Sequence, residues 1–182
     1  VHAGQPGKPR LSSVILVGRA EKASPGDNSG QNPLFFGDTI LYPSMGEPFR
    51  NWDSVAKAVA VLRDPAGRGM SARRITVSTC GIPAGIRRLA EEGPDVRLAV
   101  SLVTADAEAR RSLMPVARTH GLAELKDALA AWQRARGHRI TLEVVLIAGR
   151  TDRDADLAAL LAFVPPLSVM VNLIPWNPAP EL

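Results

Sequence analysis

Thr39-Ile40-Leu41-Tyr42-Pro43-Ser44-Met45-Gly46-Glu47-Pro48, followed closely by Asn51-Trp52-Asp53-Ser54-Val55, is the stretch around which the chain is organised. A short apolar run leads into a glycine-bearing turn. Asn51 or Asp53 then caps a helix whose apolar positions Trp52, Val55, Val59 and Leu62 recur every three to four residues. Strand, turn and helix in that order make the βα unit of a parallel sheet. Such sheets bind ligands beyond the carboxyl ends of their strands, which places Gly46 and Glu47 on a ligand rim. Glycine lets a ligand approach the backbone, and a carboxylate there holds a cationic group. Taken alone, Gly-Glu-Pro is equally an ordinary polar turn.

The chain downstream repeats the unit. The helix over 52–64 ends at Pro65-Ala66-Gly67, and Ile75-Thr76-Val77-Ser78 is a strand with Thr79-Cys80-Gly81 as its turn. Pro83 opens a helix to Glu92, closed by Gly93-Pro94, and Val96 to Leu102 is the next strand. A short helix over 106–112 has Thr104 as its cap. Leu122, Leu125, Leu129 and Trp132 form the core stripe of a long helix ended by Gly137. Ile140 to Ile147 is a strand, Thr151 caps a helix with Leu157, Leu160, Leu161 and Val164 inside, and Leu167 to Ile174 is the last strand. The alternation predicts an α/β fold with a parallel sheet of five to six strands, open or curled, too few for a closed eight-stranded barrel.

Upstream, residues 1–11 read as a Gly/Pro-rich lead-in and Ser12 to Gly18 as the first strand. Residues 19–44 then form an inserted or irregular loop within a single domain spanning 1–182. The alternative is that Thr39 to Tyr42 is the strand and the earlier run lies elsewhere.

Apolar content of 46% with 22% charge over 182 residues describes a globular chain with a core, not a disordered one. No apolar run has the length of a membrane span and no leader opens the chain, so a cytoplasmic setting is expected. The chain begins with Val, as a fragment or processed product would. A single cysteine, Cys80, excludes an internal disulfide and any cysteine-only cluster site. The net charge of +4 and pI near 9.8 permit a nucleic-acid partner. The arginine pairs Arg73-Arg74, Arg87-Arg88 and Arg110-Arg111 have acidic neighbours and read as solvated helix faces.

Polar residues collect where strands end: Glu47, Ser78-Thr79, Ser101 and, after the last strand, Asn177. On one rim, hydroxyls, an amide and a carboxylate over an apolar floor suit a zwitterionic or ribose-bearing small molecule. Glu143 falls within an otherwise apolar strand, so if buried it must be paired or functional. His2, His120 and His138 show no metal-ligand spacing, and the chain has no Walker phosphate loop and no nucleophile-base-acid motif.

Four segments occur in one order: Ser44-Met45-Gly46-Glu47-Pro48-Phe49-Arg50-Asn51, Thr76-Val77-Ser78-Thr79-Cys80-Gly81-Ile82-Pro83, Leu98-Ala99-Val100-Ser101-Leu102 and Asn172-Leu173-Ile174-Pro175-Trp176-Asn177-Pro178. Together they resemble the radical S-adenosylmethionine methyltransferases of the RlmN/Cfr family, which modify adenine in ribosomal RNA. The resemblance implies a partial (β/α) barrel of six strands, of which this chain supplies all but the first. It implies S-adenosylmethionine as cofactor, with Gly46 and Glu47 at the methionine amino group. Ser78, Ser101, Leu102 and Val103 fall against its methionyl and ribose portion, and Asn177 closes the pocket. Methylation at C2 of adenine in ribosomal RNA or transfer RNA is the implied reaction.

Departures from the family are equally plain. Its three-cysteine motif for a four-iron, four-sulfur cluster is expected before residue 1 and its methyl-carrying cysteine beyond residue 182; neither is in this chain. Cys80 is not their counterpart and reads as a small buried residue. Val103-Thr104 stands where the family has His-Ala, Val144 where it has Tyr, and Arg150-Thr151 where it has Val-Asn. The expectation is therefore a family member inactive as this chain alone, with missing flanking segments. A non-catalytic module binding S-adenosylmethionine, a nucleoside or RNA is the alternative.

Overall fold

A computed structural model describes residues 40–42 and 46–176. Strand and helix alternate through them: β1 (Ile40–Tyr42), α1 (Trp52–Arg63), β2 (Ile75–Thr79), α2 (Pro83–Glu91), β3 (Arg97–Val103), α3 (Ala107–Leu113), α4 (Leu122–Arg136), β4 (Ile140–Leu146), α5 (Asp154–Phe163) and β5 (Val169–Pro175). All neighbouring strands are parallel and lie in chain order, β1-β2-β3-β4-β5. A sheet in which every strand lies beside its sequence neighbour has no point of reversal. It is wound in one sense, as in a (β/α) barrel, not in the two senses of a doubly wound sheet. Among the described residues β1 and β5 each have one neighbour, so the sheet is part of a barrel.

Of the two positions open to the strand before Gly46, Ile40–Tyr42 is the one that pairs with β2, Ile40 beside Ile75 and Tyr42 beside Val77. The run 12–18 and the remainder of the expected loop, 19–39 and 43–44, lie outside the described residues, as does Asn177.

Register sorts the side chains of β2, β3 and β4 onto two faces, because successive residues of a strand point opposite ways. On one, Val77 lies beside Leu98 and Val100 beside Leu142, and all four are fully buried. Trp52, Val55 and Val59 of α1, Ile86 and Leu89 of α2, and Leu125, Leu129 and Trp132 of α4 share the core with them. On the other face Ser78 lies beside Ala99, and Ser101 beside Glu143.

The helix stripes on α1 and α4 follow the sequence spacing, with Leu62 and Leu122 only partly buried. Three local details differ. The cap of α3 is Asp106, whose carboxylate accepts from the Ala109 N–H at 2.7 Å; Thr104 instead accepts from the Asp106 N–H at 3.1 Å. Before α5, Thr151 closes the preceding turn, accepting from the Ile147 N–H at 2.8 Å and donating to the Val145 carbonyl at 2.6 Å. The first turn of α5 is held by Asp156, which accepts from the Arg153 backbone N–H at 3.1 Å and from its guanidinium at 2.7 Å. On α5 itself Leu160 and Val164 pack against the core, whereas Leu157 and Leu161 are 56% and 64% exposed. A helix with apolar residues on every side carries no periodicity to choose its buried face. Among the described residues no helix is long and apolar enough to cross a membrane.

Candidate functional site

Glu47 sits where β1 gives way to α1, immediately before a 3-10 turn over Pro48–Asn51. Pro48 suits the first position of that turn because its fixed φ is already helical and it has no N–H to satisfy. One oxygen of the Glu47 carboxylate, Oε1, accepts from the Phe49 N–H at 3.2 Å and from the Thr79 hydroxyl at 2.7 Å. The other, Oε2, accepts from the Cys80 N–H at 2.8 Å. The turn is anchored from behind by Phe49, which lies so close to α2 that a Cβ at Gly85 would come within 2.1 Å of its ring. Only glycine fits there.

Beside Glu47 opens a cavity of about 330 Å³ lined by Gly46, Glu47, Ser78, Thr79, Cys80, Ser101 and Glu143. That volume falls at the lower end of small-molecule sites. The Ser101 hydroxyl donates to Glu143 Oε2 at 2.8 Å across the β3–β4 pair, so Glu143 is paired, as its place in an apolar strand requires. Among the described residues, two carboxylates and no basic side chain line the cavity, which favours a cationic group. A carboxylate has about four lone-pair sites. Three of those on Glu47 are taken by N–H and O–H donors within the described residues, leaving one position on Oε2, for which the adjacent Cys80 thiol competes with any further donor.

The sequence-predicted residues divide. Gly46, Glu47, Ser78 and Ser101 meet at the cavity. Leu102 is fully buried in the core and is not among the lining residues; its carbonyl accepts from Arg110. Val103 is half-buried at a positive φ of 65° and is not among the lining residues. Asn177 lies outside the described residues.

Cys80 corrects its reading as a small buried residue: it is half-buried and lines the cavity. Burial, and then the adjacent Glu47 carboxylate, push its thiol up from 9.0 to about 12. It is a protonated, unreactive thiol. Among the described residues no group of three or more His, Cys, Asp or Glu side chains has the arrangement of a metal site.

Arg110 corrects its reading as part of a solvated pair. It is 1% exposed, and its guanidinium donates to the carbonyls of Leu102 and Cys80 at 3.0 and 3.1 Å. Helix spacing gave no signal for it: Ala107, three residues earlier on the same side, is exposed, and Arg110 is the one buried residue of α3. Thr79, the hydroxyl that holds Glu47, was visible as a rim residue but not as its partner.

No family model matches the chain. It is 44% identical over 146 residues to a probable dual-specificity RNA methyltransferase RlmN of Treponema denticola, covering 80% of this chain and 42% of that protein. It is 42% identical over 167 residues to a probable dual-specificity RNA methyltransferase RlmN of Moorella thermoacetica, covering 92% and 46%. The crystal structure of a radical SAM methyltransferase from Sphaerobacter thermophilus superimposes with a TM-score of 0.76 at 40% identity, covering 81% of this chain and 43% of that one. The chain thus spans less than half the length of these relatives.

Proposed function

We propose, for a chain that belongs to the RlmN/Cfr-type family of radical S-adenosylmethionine methyltransferases, that its cavity binds the methionine and ribose portions of S-adenosylmethionine. The whole protein, on this reading, methylates C2 of adenine in ribosomal and transfer RNA. The observation that carries the proposal is the Glu47 carboxylate, fixed by Phe49, Thr79 and Cys80 with one acceptor position left, in a cavity that also holds Glu143.

The donor set suits the group. S-adenosylmethionine has an ammonium and a sulfonium against one carboxylate, and the cavity offers two carboxylates. Glu47 takes the ammonium, while Ser78 and Ser101 supply hydroxyls to the ribose side. Gly46 leaves the backbone approachable beside Glu47. Three bonds already fix the Glu47 carboxylate, so it does not have to be ordered when the ligand arrives. When bound, S-adenosylmethionine supplies the methyl group and, in this family, the source of the radical. Asn177 is assigned to pocket closure by its place in the family motif alone.

The iron-sulfur cluster does not fit the residues present. It requires three thiolates, whereas the chain has one cysteine, held protonated beside a carboxylate. No redox step is assigned to this chain, whose part is binding and orientation.

Calorimetric titration with S-adenosylmethionine tests the proposal. Saturable heat, weakened about tenfold or more in Glu47→Gln, is expected, as for loss of a charge-assisted hydrogen bond. A folded chain that gives no heat contradicts it.

A further inference from the structure

Two residues just beyond the cavity-lining Cys80 and Ser101, neither of them in the lining, have left-handed backbone: Gly81 at φ 95° and Val103 at φ 65°. Glycine adopts this freely, but for a β-branched residue it is a genuine outlier. At Val103 the Thr104 N–H donates to the Leu102 carbonyl at 2.8 Å, closing a three-residue turn of the strained γ type. The β3–β4 register slips at the same point, with Ser101 beside Glu143 but Val103 beside Val144. Strain of this sort persists where the surroundings over-determine the backbone, and it gathers at ligand sites.

One side chain does the determining. The carbonyl preceding each left-handed residue, Cys80 before Gly81 and Leu102 before Val103, accepts from Arg110, at Nη2 and Nε respectively. The guanidinium also closes the space around Gly81, where a Cβ would lie 3.2 Å from Nη2. Among the described residues Arg110 is answered by two carbonyls and by no carboxylate. A buried cation without a counter-charge is an expensive way to fill space, which an apolar side chain of similar length would fill better.

We infer that Arg110 is a positioning residue, a clamp that holds the ends of β2 and β3 in their turned conformation and so sets Glu47 and Ser101 toward the cavity. Its reach to Glu47 passes through one residue: the Cys80 carbonyl accepts from Arg110, and the Cys80 N–H donates to Glu47. Its reach to Ser101 is the adjoining residue, Leu102. The planar guanidinium presents Nε and Nη2 to the two carbonyls in a fixed geometry, which the flexible ammonium of a lysine does not reproduce.

The consequence for S-adenosylmethionine rests on the function proposed above; the clamp itself does not. The test is a cycle of Arg110→Lys and Val103→Gly, read by amide hydrogen exchange and by calorimetry. In Arg110→Lys, exchange at Thr104 and Cys80 is expected to quicken about tenfold, and S-adenosylmethionine affinity to fall about tenfold. With glycine at 103 the left-handed turn needs no enforcement. There the same lysine substitution is expected to weaken binding by less than about threefold, even though thermal stability stays lowered. An equal loss of affinity in both backgrounds overturns the inference, as does a lowered melting temperature with unchanged exchange at Thr104 and Cys80. If the lysine variant does not fold, Arg110→Gln takes its place in the cycle. If the unsubstituted chain gives no heat with S-adenosylmethionine, the proposed function fails, and the exchange cycle alone decides on the clamp.

Discussion

The two faces of the central sheet are made from alternate residues of the same strands, yet they are built for different ends. Val77, Leu98, Val100 and Leu142 face the helices and are fully buried among apolar side chains. Ser78, Ser101 and Glu143, one residue away along the same strands, line the cavity, and Ser101 and Glu143 satisfy one another. The helix-side face draws stability from area removed from water, about 25 cal/mol per Å². The cavity face contributes little of that kind and keeps polar groups oriented. The comparison therefore predicts that lesions on the two faces separate into losses of stability and losses of binding.

The largest expected effect concerns Cys80, which sits where the two regimes meet. With a folded thiol at about 12 against 9.0 for the ordinary group, alkylation near pH 8 should be about a thousandfold slower in the native than in the denatured chain. Glu47→Gln, which removes one cause of that shift, should speed it. The sign for stability follows: the contribution is fully present below about pH 9 and is lost as pH rises toward about 12. Native alkylation at the denatured rate would show that the rim does not hold this thiol.

Next comes Leu129→Ala, on a fully buried position of the helix-side core. It should cost about 2–5 kcal/mol in urea unfolding. Well below its melting temperature it should still bind S-adenosylmethionine within about twofold of the unsubstituted chain. A large loss of affinity would mean that the two faces are coupled. Glu47→Gln should do the reverse, losing about tenfold or more in affinity, about 1.4 kcal/mol, for a stability change of about 1 kcal/mol.

The smallest effect involves a residue of neither face. Asp156 is held below the usual carboxylate range by its hydrogen bond from Arg153. Its contribution is therefore present above about pH 4 and is lost as pH falls through the depressed folded value. Asp156→Asn should lower stability at neutral pH by about 1 kcal/mol and flatten that acid limb, with S-adenosylmethionine binding unmoved. A mutant whose acid limb matches the original would remove Asp156 from the account.

Much of this division could be read from the residues. The apolar runs of β2, β3 and β4 and the stripes of α1 and α4 state their periods cleanly, and Glu143 announced itself as a polar residue in an apolar strand. The convergence of Glu47, Ser78 and Ser101 followed from the rule that parallel strands end on one rim. What was not legible was specific. Leu157 and Leu161 belong to a helix apolar on all sides, so no period tells which leucines turn inward. Thr104 and Asp106 are both capping residues two positions apart, and only the backbone geometry chooses Asp106. Arg110 was read with Arg111 as one solvated pair, although neighbours in a helix point about 100° apart and need not share an environment. Thr79 and the Cys80 N–H act on Glu47 from more than thirty residues away, a pairing no local pattern encodes.

The central claim is that the open acceptor position of Glu47 receives the amino group of S-adenosylmethionine. Its most direct test is a cycle in which the chain and its Glu47→Gln variant are each titrated with S-adenosylmethionine and with the analogue lacking the α-amino group. The account predicts that the unsubstituted chain prefers S-adenosylmethionine by about tenfold or more and that the preference vanishes in the variant. A preference that survives the substitution, or a substitution that weakens both ligands equally, would contradict it.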